Sequence, residues 1–310
     1  MVEQIQDWAS QRGYRVAWGP AEVVATVLRE VAARRDSGEI DEGLYGNELA
    51  ALNGGGFPRD SGLTTVVVIV KPRPAHTVTF KLGETQIQAV LPPTYVRYQP
   101  LFDDVRRDLQ EHGLPGARVE RVGAPLKLLA ASLGLVRYGL NNVTYAPGIG
   151  SYLQLFGYLT DAALPLPDGW RPKAPTLLQE CETCGACLSN CPTGAIAEDR
   201  VLLHAERCLT FINENPGSIP AWVPTWAHNG LIGCLLCQRS CPVNPPLPLE
   251  CTGVSFTGEE TQALMGDTGE RSGPVWDGVR AKLKELGQPS SEPVLGRNLR
   301  ALVEASSVQH

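Results

Sequence analysis

Eight of the nine cysteines fall between Cys181 and Pro242. Cys181, Cys184, Cys187 and Cys191-Pro192 read C-x2-C-x2-C-x3-C-P, Cys208 stands alone, and Cys234, Cys237 and Cys241-Pro242 read C-x2-C-x3-C-P. Thiolates spaced by three on a tight loop converge on one inorganic centre. A structural zinc ion also uses C-x2-C, but as two separated pairs, not as three cysteines in succession followed by Cys-Pro. Disulfides suit neither an odd count nor a chain with no other sign of secretion. The spacing is that of thiolates on two 4Fe–4S cubes.

In the bacterial two-cluster ferredoxin spacing, three thiolates of one loop hold one cube and the fourth crosses to the other. That pattern assigns Cys181, Cys184, Cys187 and Cys241 to the first cube. It assigns Cys191, Cys208, Cys234 and Cys237 to the second. Proline after the fourth cysteine starts a new segment with a fixed φ. Cys251, in Glu250-Cys-Thr-Gly, reads as a buried free thiol, with a reactive thiol or a replacement ligand for Cys208 as alternatives.

The elements that must position these groups are partly readable. Residues 3–12 and 21–35 carry helical patterns, the latter with Ala21, Val24, Val27, Leu28 and Val31 on one face. Asn53 to Pro58 is a Gly-rich loop without the spacing of a phosphate cradle. Thr64 to Val70 is a β-branched run, hence a buried strand. Val78, Phe80 and Leu82 alternate into Gly83-Glu84, and Ile87, Ala89 and Leu91 alternate out, which predicts a hairpin. A helix follows Pro100 and ends near Gly113, with a short strand at 118–122 and a helix at 126–133 stopped by Gly134. Residues 162–176, with Pro165, Pro167, Pro172 and Pro175, read as a linker. Beyond Cys251, two helices are marked by Trp276, Val279, Leu283 and Leu286, and by Leu295, Leu299, Leu302 and Val303. The expected class is an α+β sandwich over residues 1–165, a ferredoxin-like cluster domain over 166–251 and a short helical tail over 252–310.

The 310 residues are 43% hydrophobic and 19% charged, enough for real cores. A net charge of −6 speaks against a general nucleic-acid binder. The polar, acidic start Met1-Val-Glu-Gln-Ile-Gln-Asp7 has no leader pattern, and no run approaches the ~18 apolar residues of a membrane span. Reduced thiolates and clusters fit the cytoplasm, with no membrane partner.

The stretch before the cysteines completes a resemblance. Leu133-Gly-Leu-Val-Arg-Tyr-Gly-Leu-Asn-Asn142, Thr144-Tyr-Ala-Pro-Gly-Ile-Gly-Ser151 and Tyr158-Leu-Thr-Asp161 resemble the corrinoid-binding half of the epoxyqueuosine reductases and reductive dehalogenases. Cys191-Pro-Thr-Gly-Ala-Ile196, Arg207-Cys208, Gly233-Cys-Leu-Leu-Cys-Gln238 and Cys241-Pro-Val-Asn244 resemble the epoxyqueuosine reductases step for step. The resemblance covers residues 118–250 well and the N-terminal third in element order.

It implies a nitroreductase-like corrinoid-binding sandwich, a base-off cobalamin without a protein ligand on cobalt, and a ferredoxin or flavodoxin-type electron donor. Gly139, Asn141, Gly148, Gly150 and Ser151 would line the corrinoid, with glycines letting backbone approach a flat macrocycle. No D-x-H-x-x-G segment supplies an axial histidine, and His76, His112, His204, His228 and His310 read as surface or satisfied core residues. Two departures bear on chemistry. An ungapped alignment on Gly134 puts Glu120 where the family has its proposed proton-donating Asp, a one-residue slip would put Arg121 there, and the basic residue of the Gly-[Lys/Arg]-Asn step is Leu140. By the dehalogenase precedent, Tyr138 and Tyr145 join Glu120 as candidate proton donors, with Arg137 nearby. The substrate would be a small molecule or borne on tRNA. A basic surface for tRNA would draw on Arg97, Arg106, Arg107, Arg118, Arg121 and Lys127, or on Arg280, Lys282 and Lys284. The alternatives are an electron-transfer or accessory protein that keeps the clusters but has lost the reductase chemistry, or a reductive dehalogenase-like enzyme on a small molecule.

Overall fold

A computed structural model describes residues 1–50, 61–198, 200, 202–266 and 271–308, so the Asn53–Pro58 loop lies outside the described residues. The strands are β1 (Arg15–Pro20), β2 (Thr65–Pro72), β3 (Ala75–Leu82), β4 (Thr85–Leu91), β5 (Val119–Arg121), β6 (Arg137–Tyr138), β7 (Thr144–Tyr145), β8 (Leu153–Thr160) and β9 (Leu249–Phe256). The longer helices are α1 (Val2–Gln11), α2 (Val23–Asp36), α3 (Tyr98–Asp108), α4 (Leu126–Ser132), α5 (Leu209–Glu214), α6 (Gly258–Met265), α7 (Pro274–Glu285) and α8 (Glu292–Val308). The contacts divide the chain into two compact units, neither of them one continuous stretch. The first comprises 1–72, 100–185 and 198–205; the second comprises 73–99, 186–197 and 206–310.

The first unit is built on an antiparallel sheet in the order β1-β2-β8-β5. The β-branched run of β2 is buried on both faces. Val66, Val68 and Val70 pack with Val24 and Val27 of α2 and Leu129 and Ala130 of α4, while Val67 and Ile69 are equally enclosed. Each such side chain contributes roughly 1.5–3 kcal/mol of burial. β8 lies beside it, every residue buried, with Phe156 and Phe102 rings 4.8 Å apart and Tyr158 Oη donating to Phe102 O at 2.7 Å. At the far end, Asp108 of α3 accepts from Trp8 Nε1 at 3.1 Å and from Arg12 Nη2 at 2.6 Å, which ties α1 down.

In the second unit the predicted β3–β4 hairpin is extended by β9, which runs parallel to β3 in the order β4-β3-β9. The tail therefore opens on a strand before its helices, and the two predicted ones, α7 and α8, are joined by α6. Phe80 stacks on Phe256 at 4.7 Å, and Leu264, Val279, Leu283, Leu295 and Leu299 close the core over them. A capping box starts α6, with Thr257 Oγ1 accepting from Glu260 N at 3.2 Å and Glu260 Oε2 accepting from Thr257 N at 2.7 Å. α8 crosses α6 at Gly296, where a methyl group would run into Leu264 O. Because β9 is an edge strand, Cys251 is exposed rather than buried, its sulfur accepting from a local amide, Gly253 N, at 3.4 Å.

Candidate cluster and cofactor sites

Within the second unit, four of the cysteines come together. Cys237 feels the charges of Cys234, Cys208 and Cys191, and last that of Cys187 from the other predicted set, while Cys208 and Cys191 act on Cys234 and Cys191 acts on Cys208. This is the quartet that the spacing assigns to the second cube. Burial pushes the Cys208, Cys234 and Cys237 thiols up, with the neighbouring sulfurs adding to the rise at each. Such thiols resist ionising alone and give up their protons to a cationic iron centre. At Cys191 burial also opposes ionisation, but hydrogen bonds from Thr193 and from the Ala195 and Ile196 amides outweigh it and hold the thiol low. Ala195 N stands 3.3 Å and Thr193 Oγ1 3.6 Å from its sulfur. The Cys234 sulfur accepts from Asn229 Nδ2 at 3.2 Å, while Asn229 Oδ1 accepts from Leu235 N at 2.9 Å.

Among the described residues no three or more His, Cys, Asp or Glu side chains close on a point that one ion could occupy. The sulfurs around a cube each hold a different iron and need no such point. The donor set, the burial and the N–H donors aimed at sulfur all fit an iron–sulfur cube. Of the other predicted ligands, Cys187 and Cys241 belong to the second unit, and Cys181 and Cys184 close the first as the helical turn Cys181–Cys184.

Distant groups hold these loops, and spacing gave no sign of them. Asn298 of α8, fully buried, donates to Asn213 O at 2.9 Å and Leu231 O at 3.1 Å. Its neighbour Arg297 donates to Ile212 O at 2.8 Å, Asn215 O at 3.1 Å and Gly217 O. One signal was available: Asn298 falls between Leu295 and Leu299 on an apolar helix face, where an amide must find partners.

In the first unit, residues 137–151 form two successive turns. β6 and β7 pair as Arg137↔Tyr145 and Tyr138↔Thr144. Gly139 N donates to Val143 O at 2.8 Å and Asn142 N to Gly139 O at 2.9 Å. Tyr145 and Asn141 are both 2% exposed, and Asn141 Nδ2 donates to Tyr145 Oη at 2.9 Å. Gly139 is required by this packing, since a methyl group there would come within 2.6 Å of Asn141 Oδ1 and of the Tyr145 ring. Ala146 to Gly150 makes the second turn, Gly150 N and Ile149 N donating to Ala146 O at 3.1 and 3.0 Å. Gly148 is exposed at φ +75°, with only Arg15 Nη2, at 3.9 Å, near its missing side chain; Gly150 and Ser151 are buried.

The three candidate proton donors part company. Burial pushes the half-buried Tyr138 phenol up, with Arg34 offsetting a little, so it keeps its proton. Glu120, on β5, is 53% exposed and paired with Arg118 Nε at 3.3 Å. Tyr138 also has a backbone role. Its N donates to Thr176 O at 2.9 Å, its O accepts from Leu178 N at 2.8 Å, and Leu178 O accepts from Cys181 N at 3.1 Å. Strand β6 and the first cysteine are thus two hydrogen bonds apart.

The remaining expectations fare unevenly. His76 and His228 each bury an Nδ1 without a partner and are not the satisfied histidines that the sequence predicts. Arg106, Arg107, Arg118, Arg280 and Lys282 have carboxylate partners in Asp103, Asp104, Glu120, Glu292 and Glu260. No helix among the described residues is long and apolar enough to cross a membrane.

Comparison with known proteins follows this geometry. Residues 180–244 match the family described as the 4Fe-4S double cluster binding domain. The epoxyqueuosine reductase of Pseudomonas aeruginosa is 27% identical over 226 residues, 73% of this chain and 54% of the relative. That of Burkholderia pseudomallei is 29% identical over 247 residues, 77% and 56%, and that of Bacillus subtilis 32% over 118 residues, 38% and 28%. The matched stretch thus spans less than two thirds of the length of these curated relatives. Among solved structures, epoxyqueuosine reductase from Streptococcus thermophilus has a TM-score of 0.65 at 17% identity, covering 100% of this chain and 82% of that one. An epoxyqueuosine reductase solved with an epoxyqueuosine-modified tRNA stem loop gives 0.59 at 17% identity, covering 99% and 82%. At such identity these structures speak for the α+β fold. With the cysteine pattern and the sequence relatives beside it, the chain is a distant homologue of the epoxyqueuosine reductases and carries a 4Fe-4S double cluster binding domain.

Proposed function

We propose that this protein is an iron–sulfur, cobalamin-dependent reductase of the epoxyqueuosine reductase type. The observation that carries the reading is the backbone link from Tyr138 through Leu178 to Cys181, which holds the hairpin next to the opening of the cysteine run. Cys181, Cys184, Cys187 and Cys241 would hold one cube; Cys191, Cys208, Cys234 and Cys237 would hold the other. For the corrinoid the fit rests on the open backbone at Gly148, with Gly139, Asn141, Gly150 and Ser151 shaping the turns behind it. The cubes supply low-potential single-electron relay, and the corrinoid supplies the two-electron reduction of the substrate.

Tyr138 is the proposed proton donor, because its enclosed phenol stays protonated and general-acid work needs a held proton. Tyr145 accepts from Asn141 and holds the hairpin's shape. The electron donor would be a ferredoxin or flavodoxin-type protein. The carboxylate partners of five basic residues leave less free charge for phosphates, which favours a small-molecule substrate over a tRNA-borne one. Anaerobically reconstituted protein is expected to hold about eight irons per chain and to bind about one cobalamin with a base-off spectrum. Full iron with no cobalamin binding would remove the reductase reading.

A second reading, an electron-transfer protein that has lost the chemistry, is favoured by Glu120, which is exposed and committed to Arg118 where the family is proposed to keep a proton-donating Asp. Turnover of any reducible substrate with a low-potential donor counts against it.

A further inference from the structure

Tyr95 belongs to no motif, yet it sits against the second quartet. It follows β4 in the turn Pro92-Pro-Thr-Tyr95, which is locked from several sides. Arg73 donates to Pro93 O at 3.2 Å and to Val96 O at 2.7 Å, Gln288 Nε2 donates to Tyr95 O, and Arg97 N donates to Leu286 O at 2.9 Å. The ring lies on Gly233, the residue before Cys234. A methyl group there would come within 2.8 Å of Tyr95 Oη and 3.0 Å of the ring. The phenol feels the charges of Cys208 and Cys234. Its hydroxyl donates to neither sulfur. It donates to Glu214 Oε1, 119 residues away in sequence. Glu214 ends α5, whose N-cap is Cys208, so its backbone stands roughly one short helix, about 9 Å, from that ligand.

The potential of a cube is set by net charge, hydrogen bonds to its sulfurs and exposure. Donors at Cys191 and Cys234 favour the reduced cube, while a fixed carboxylate opposes the incoming electron. We propose that Tyr95 is a positioning residue for the second cube: its hydroxyl pins the Glu214 carboxylate beside the Gly233–Cys234 backbone, and that pinned charge lowers the cube's reduction potential. The pair transfers neither electron nor proton; one electron enters the cube and no bond is made or broken. The inference rests on the iron–sulfur reading and on the ligand pairing, and not on the corrinoid.

The test is an EPR-followed redox titration of protein loaded with both cubes. Cys208→Ala identifies the second cube by losing or converting one signal; if it alters neither, the ligand pairing fails and the proposal that rests on it falls too, a result distinct from unmoved potentials. With that assignment made, Glu214→Gln is expected to favour reduction of the second cube about tenfold, 59 mV for one electron, and leave the first unmoved. Glu214→Asp, which keeps the charge, should stay near the native potential and carries the test if the Gln variant loses iron. Tyr95→Phe should shift the same cube the same way by less, and do nothing further in the Glu214→Gln background. Unchanged potentials in Glu214→Gln at full iron content would overturn the proposal. So would an Asp variant that shifts like Gln, or a Tyr95→Phe effect that persists without Glu214.

Discussion

Around residues 137–151 many polar groups find partners within a few positions, Gly139 with Val143, Asn141 with Tyr145 and Ala146 with Gly150, while Tyr138 reaches out to Thr176 and Leu178. Around the second quartet the loops are held by side chains tens of residues away. Asn298 reaches back 85 residues to Asn213 and 67 to Leu231, Arg297 reaches 80 to Gly217, and Tyr95 reaches 119 forward to Glu214. A hairpin held largely by its own bonds depends less on what happens elsewhere. A loop strung between remote anchors fails with any of them. The hairpin region is therefore expected to be sensitive to local substitutions and the region of the second quartet to distant ones.

The strongest way to break that contrast is Asn298→Ala. It leaves two buried carbonyls without a donor, and a loss of about 2–4 kcal/mol in chemical denaturation is expected. Iron should fall from about eight toward about four per chain with cobalamin binding kept; equal loss of both would show the hairpin to be dependent on the same anchor. Gly139→Ala is the reciprocal case. The added methyl meets Asn141 and Tyr145, with an expected cost of about 1–3 kcal/mol. Iron content should hold while cobalamin binding falls.

The smallest effect concerns pH. Burial holds His76 and His228 below their usual range, helped by the positive charges of Arg73 and Arg297 and opposed by Glu250 and Glu304. The unfolded chain then binds more protons as pH falls below about 6.5, so stability present above that value is lost toward the lower folded values. Both histidines lie in the second unit. Melting of that unit should weaken from pH 7 to 5.5, and His228→Gln should flatten the slope; an unchanged slope would assign the acid sensitivity elsewhere.

What was readable in the sequence follows the same division. Ligation of a cube imposes spacing, so the cysteines announce themselves, and β2, the β3–β4 hairpin and α7 follow from period and composition. β8 did not. Leu153-Gln-Leu-Phe-Gly-Tyr-Leu-Thr160 is buried on both faces, so it lacks alternation, and Gln154 and Gly157 interrupt its apolar run. β9, an edge strand with Glu250, Thr252 and Ser255 exposed or half-exposed, has no apolar pattern to show. Anchors such as Tyr95 and Asn298 carry no local mark of the partner they reach, and only Asn298, polar on an apolar stripe, hinted at one.

The parallel pairing of β9 with β3 sets an order of assembly. As the chain leaves the ribosome, β3 and β4 are made early, but their third strand and its covering helices arrive some 170 residues later, on the order of ten seconds or more at ordinary rates of synthesis. The β2–β8 sheet can close well before then. The last thiol of the second quartet, Cys237, is made only 12 residues before β9 but 61 residues before Asn298, so all four sulfurs exist before the helix that anchors their loops. Iron seated before α8 is made would lie in loops that Asn298 does not yet hold, open to oxygen in the nascent chain.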